Sequence, residues 1–164
     1  MNLFETTLAL STLLCSLVTG FVLAFATVVM PGLGRLNDRD FLQAFKTMDR
    51  VIQDNQPIFM LVWVGSVVSL VGSALLSLWW LDGTNRLLLI LATAIYLLGV
   101  QLPTATINVP LNNRLQKLDL KTLPGPELSE TRQLFESRWV RWNTIRTAFT
   151  VLTSVLLIVL LLRL

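Results

Sequence analysis

The sequence predicts an all-α integral membrane protein, a four-transmembrane-helix bundle with an amphipathic cytoplasmic helix between spans one and two. Three observations carry this. The 164 residues are 54% hydrophobic and only 14% charged, with a mean hydropathy of +0.67, outside the range of ordinary soluble domains. No charge occurs between Glu5 and Arg35, between Asp54 and Asp82, or between Arg86 and Arg114, and each gap holds a helix of about 20 residues. Basic residues also gather on one side: of the 13 Lys and Arg, only Arg86 and Arg163 fall outside the first and third connections and their borders. Lys and Arg stay preferentially cytoplasmic, so both termini are expected outside and the two long connections in the cytoplasm. The net charge of +3 then reflects topology, and no nucleic acid is expected as a partner.

The whole chain, 1–164, is expected to form a single transmembrane domain with spans at about 6–30, 57–81, 85–107 and 139–163. Span one begins after MNLFE, which has no basic n-region and no small-residue cleavage pattern, so it is expected to be a retained helix. It is expected to stop at PGLG, where Pro31 and two glycines break a helix. The lone Cys15 lies inside it and excludes an internal disulfide.

In the first connection, Asn37 or Asp38 can cap a helix, and Phe41, Phe45, Met48 and Ile52 recur at spacings of 4, 3 and 4, giving one apolar face. Asp49 sits at the edge of that face. Span two carries Gly65, Ser69, Ser73 and Ser77 four residues apart, and span one carries Ser16, Gly20 and Ala24. Small residues let helix backbones approach, so these stripes are expected to pair spans one and two. Trp79 and Trp80 mark the outer interface.

Span three is expected to be kinked by Pro103 and leaves the apolar region through NVPLNNRL, residues 108–115. Asn108 can cap a new helix here, since Pro110 lacks an N–H, but capping leaves Asn112 and Asn113 without a role. PGP at 124–126 marks a turn, and Ser129 is expected to start a helix running into span four. The uncharged part of span four covers only 147–162, roughly 24 Å at 1.5 Å per residue, short of a hydrocarbon core of about 30 Å. Completing it draws WVRWNTIR, residues 139–146, toward the membrane.

There Trp139, Trp142, Asn143 and Arg146 occupy i, i+3, i+4 and i+7, a single helical face. Tryptophans at a span end also serve as interfacial anchors, and an arginine can snorkel to headgroups, but Asn143 has no part in anchoring. A cation within a span usually faces the interior and finds a partner, and Asp49 or Asp54 is expected to pair with Arg146 if the connecting helix docks beneath the bundle. With no histidine and one cysteine, the usual zinc, haem, copper and di-iron ligand sets are missing. No metal and no resident cofactor are expected.

NVPLN, W-x-x-W-N-x-x-R and FATVVMPGL together resemble the anthrone-oxygenase-like family, small four-helix membrane proteins widespread in bacteria. The similarity runs over nearly the entire chain. It implies a bacterial inner or plasma membrane location and an oxygenase activity, because fungal members so named oxidise polyketide anthrones to anthraquinones with molecular oxygen. Such chemistry requires a base, an aromatic slot and donors to an oxyanion. The resemblance therefore points to Asp49, Asn143 and Arg146 as catalytic residues and to Asn108, Asn112, Trp139 and Trp142 as ligand-binding ones. An aromatic or quinone-like lipophile and membrane lipids are the expected partners, with a membrane-protein partner or a second copy as alternatives. The competing function is a non-enzymatic subunit in which the same Asn, Trp and Arg residues clasp spans three and four together.

Overall fold

The computed structural model describes residues 2–164. The described residues form five helices: α1 (Leu3–Leu33), α2 (Asp38–Gln53), α3 (Pro57–Trp80), α4 (Gly83–Gln116) and α5 (Gly125–Arg163). Four of them, α1, α3, α4 and α5, are long and apolar enough to cross a membrane, and no strand occurs among the described residues. α5 has 39 residues, roughly 58 Å at 1.5 Å per residue, so a large part of its N-terminal half projects past a hydrocarbon core of about 30 Å. That projecting part supports α2.

Capping chemistry sets the helix starts. Asn2 and Glu5 form a reciprocal box at the start of α1. Asn37 accepts the amide N–H of Asp40 at 2.9 Å to open α2, and that helix ends with Asn55 at φ 58, a left-handed position asparagine tolerates. α5 starts at Gly125 with Pro124 at the cap position, four residues earlier than Ser129. The PGP segment begins this helix because proline in the first turn loses no intrahelical hydrogen bond.

Prolines inside the spans do not end helices. Helical winding widens to π geometry at Phe25–Val29, Leu97–Gln101 and Thr104–Asn108, and each segment lies just ahead of a proline: Pro31, Pro103 or Pro110. The wider turn relieves the clash between the ring and the preceding carbonyl while the backbone stays paired within the helix. α1 therefore continues through PGLG to Leu33. Asn108, with φ −68 and ψ −47 and no capping hydrogen bond, lies inside α4 and caps nothing.

α1 and α3 pair as expected, but not through the stripe expected on α1. Ser11 approaches Ser73 at 3.5 Å, and a Cβ on Gly65 would lie 3.1 Å from Leu14 Cδ1. Gly20 and Ala24 are exposed instead. α2 buries Phe41, Leu42, Phe45 and Asp49. Its outer side is tied down by Arg39, which donates to the carbonyls of Leu120 and Leu123, and by Lys46, which donates to Leu118. Arg132 on α5 pairs with Glu136 at 2.8 Å and Asp38 at 3.1 Å and donates to the carbonyls of Gly34 and Leu36. These bonds fix α2 across one end of the bundle.

Candidate functional site

The site begins with α4. Thr104, Asn108, Asn112 and Gln116 recur every four residues, which on a helix gives one polar stripe along an otherwise apolar span. Its members contact α5 at one end and α2 at the other. Thr104 Oγ1 accepts from Arg146 at 2.9 Å, and Asn108 Nδ2 donates to the Trp139 carbonyl at 3.4 Å. Asn112 uses both ends of its amide: Nδ2 donates to Asp49 Oδ1 at 2.7 Å, and Oδ1 accepts from Trp139 Nε1 at 2.9 Å. Gln116 Nε2 donates to Asp49 Oδ2 at 2.8 Å. The stripe thus links α2 at one end to the α5 arginine at the other.

Asp49 is buried, and Gln53 adds a third amide donor to it at 2.6 Å. Three donors occupy three of the roughly four lone-pair positions of a carboxylate, which fixes its orientation and leaves one for another group. At the opposite end Arg146, also buried, donates to Asn143 Oδ1 at 2.7 Å and lies 5.7 Å from the Trp139 ring centroid, within cation–π range. Asn143 in turn donates to the Val22 carbonyl at 3.1 Å.

Between these groups lies a chamber of about 240 Å³, to which all five helices contribute. Six aromatic side chains line it. Phe21 packs on Phe25 at 5.0 Å and on Phe59 at 5.2 Å, Phe59 stacks on Trp63 at 5.4 Å, and Trp139 closes the series against Phe25 and Phe45 at 5.6 and 5.2 Å. Asp49 and Arg146 both line it. Two further buried atoms on its lining residues, Arg146 Nε and Asn108 Oδ1, have no hydrogen-bond partner among the described residues. One is a donor on a cation and the other an acceptor, and leaving such atoms unpaired in a buried site costs about 1–3 kcal/mol each.

Six of the residues singled out from sequence meet here: Asp49, Asn108, Asn112, Trp139, Asn143 and Arg146. Trp142 does not. It lies on the outer side of α5 in a shallow groove with Leu98, Gly99 and Pro103 of α4, because three residues on a helix turn it about 60° away from Trp139 at 100° per residue. The expected ion pair also fails to form. Among the described residues no carboxylate is within ion-pair distance of Arg146, and Asp54 is exposed. Arg146 meets α4 at Thr104 and Asp49 meets it at Asn112, eight residues or roughly 12 Å along the axis, so the two charges stand at opposite ends of the chamber.

Sequence reasoning missed Thr104 and Gln116, although their spacing to Asn108 and Asn112 was visible. It also missed the aromatic wall, whose signals were two i, i+4 pairs: Phe21 with Phe25, and Phe59 with Trp63.

Neither a curated protein nor a solved structure matches the chain. The sequence model of the anthrone oxygenase family matches residues 45–156, a stretch that contains the Asp49 end of α2, the polar stripe of α4 and the Trp139, Asn143 and Arg146 face of α5, and the chain belongs to that family.

Proposed function

We propose that the chamber binds a planar aromatic or quinone-like lipophile and that the protein oxidises such a substrate with molecular oxygen, without a metal. The observation that carries this reading is the placement of a buried carboxylate and a buried guanidinium, neither in an ion pair among the described residues, at opposite ends of one space with aromatic walls. Family membership supports the reaction class.

An anthrone has its methylene and carbonyl carbons at opposite poles of the central ring. A base at one end of the chamber and a cation at the other would address both. In the proposed reaction Asp49 takes a methylene proton, and the electron pair delocalises onto the carbonyl oxygen, where Arg146 stabilises the negative charge. The anion passes one electron to oxygen, and the resulting pair couples to form a C–O bond and a hydroperoxide. Loss of the remaining methylene proton with cleavage of the O–O bond gives the new carbonyl and releases water. The methylene and one O₂ become one carbonyl and one water.

We place the chamber at the cytoplasmic leaflet, with both termini outside, on the asymmetry of the Lys and Arg residues. A second reading, the structural clasp, is supported by the direct bonds of Asn112 to Trp139 and of Asn143 to Val22. It gives no role to the unpaired Arg146 Nε and Asn108 Oδ1 atoms. The deciding experiment is turnover of an anthrone by purified protein under ¹⁸O₂. One labelled oxygen in the product carbonyl, formed faster than without protein, supports the oxygenase. A rate equal to the protein-free rate rejects it.

A further inference from the structure

A second space adjoins the chamber. Between α1 and α3, above the end of α2, an open groove of about 670 Å³ runs along the outer surface. Its lining is aliphatic, aromatic and methionine side chains apart from Gln56, whose side chain already caps the Phe59 amide. Leu17, Val51 and Ile58 on its rim are exposed along the outer face of the bundle.

Groove and chamber share a wall made of Phe21, Phe25, Met48, Ile52, Phe59 and Trp63. Each of these six is only partly buried, whereas Asn108, Trp139, Asn143 and Arg146, which also line the chamber, are buried. The wall that the chamber shares with the groove is therefore thin. Two of the six, Met48 and Ile52, come from α2, and methionine adapts its shape readily.

Size distinguishes the two spaces. The chamber, about 240 Å³, falls below the ~300–1,000 Å³ usual for a site that encloses a drug-sized ligand. It suits a compact aromatic head and leaves no volume for a substituent of any length. The groove supplies that volume, and apart from Gln56 its lining is apolar side chains that suit hydrocarbon.

We infer that the groove is the tail site of the chamber's ligand, and that the substrate class is an aromatic hydroxy- or keto-head carrying an alkyl or prenyl chain. The head lies between Asp49 and Arg146, the chain passes the Met48 and Phe59 wall, and its far end remains in the bilayer between α1 and α3. This rests on the reading that the chamber binds an aromatic head. It also gives the route of access: the ligand arrives sideways from hydrocarbon, never crossing the layer formed by α2 and the 117–124 connection.

The test uses the full-length protein in lipid nanodiscs with three probes: a hydroxyanthraquinone, the same head with a decyl chain bearing a diazirine, and a headless diazirine alkane. Photolysis of the tailed probe should label segments 17–25 and 56–63 at least ten-fold more than the headless alkane does, and excess hydroxyanthraquinone should suppress the labelling. Leu17→Trp and Val62→Trp, which fill the groove without touching the chamber, should each cut that labelling at least ten-fold while binding of the tail-less head stays within two-fold. Equal labelling of these segments by the headless alkane would make the groove an ordinary lipid contact and overturn the inference, as would labelling spread evenly over the outer surface. If the tail-less hydroxyanthraquinone itself does not bind, the chamber reading fails and the tail site with it.

Discussion

Arg146 and Asp49 face one chamber without pairing. The guanidinium is held by Thr104 at 2.9 Å and Asn143 at 2.7 Å, and the carboxylate by Asn112, Gln116 and Gln53. Each charge is thus anchored by neutral groups, which hold its position without cancelling it. A structural ion pair would have been built the other way.

The first consequence concerns Arg146. A buried cation with no carboxylate partner is costly in a span, and replacing buried charges with apolar groups of similar size is often neutral or stabilising. Arg146→Met is expected to keep the detergent melting temperature within a few degrees of wild type or raise it, while oxidation slows by about 10²-fold or more. Thermal unfolding and oxygen uptake on the same preparation check this; a large fall in melting temperature with no effect on rate would favour the clasp.

Asp49→Asn should behave differently. The substitution places an amide N–H₂ among three amide donors, so at least one bond becomes donor against donor, at about 1–3 kcal/mol. Loss of the base should also slow turnover by about 10²–10⁴-fold. Melting temperature and rate should therefore fall together, in contrast to Arg146→Met.

Gly99 tests the packing behind the site. A Cβ there would lie 2.5 Å from Phe149 Cγ and 2.9 Å from its Cβ, too near the α5 backbone for the ring simply to swing away. Gly99→Ala is expected to lower stability by about 1–3 kcal/mol, measured by unfolding in detergent. Adding Phe149→Ala should remove the clash itself, which a double-mutant cycle would show as a coupling between the two positions.

Much of this was readable from sequence, and the misreadings share physical causes. Charge-free gaps exposed the spans because charge is excluded from hydrocarbon, and the i, i+4, i+7 spacing placed Trp139, Asn143 and Arg146 on one inward face. The stripe on α4 was only half visible because Pro103 and Pro110 read as a kink and a helix end. The widened turns that carry the helix past them have no signature in a 3.6-residue period. The expected α1 contact failed for a related reason. On α1 it is Ser11 and Leu14 that meet α3, and spacing alone does not single them out from Ser16, Gly20 and Ala24. An aspartate was expected to neutralise Arg146, but one amide and a threonine hydroxyl satisfy two of its nitrogens, and no sequence pattern distinguishes those partners from ordinary polar residues.

The most direct test of the chamber as a binding site is titration with an unreactive hydroxyanthraquinone, followed by tryptophan fluorescence, in wild-type protein and in Arg146→Met. Wild type should show saturable quenching at one ligand per chain, and Arg146→Met, folded to the same melting temperature, should bind at least ten-fold more weakly. Equal affinity in the two proteins, or no saturable binding in wild type, would contradict it.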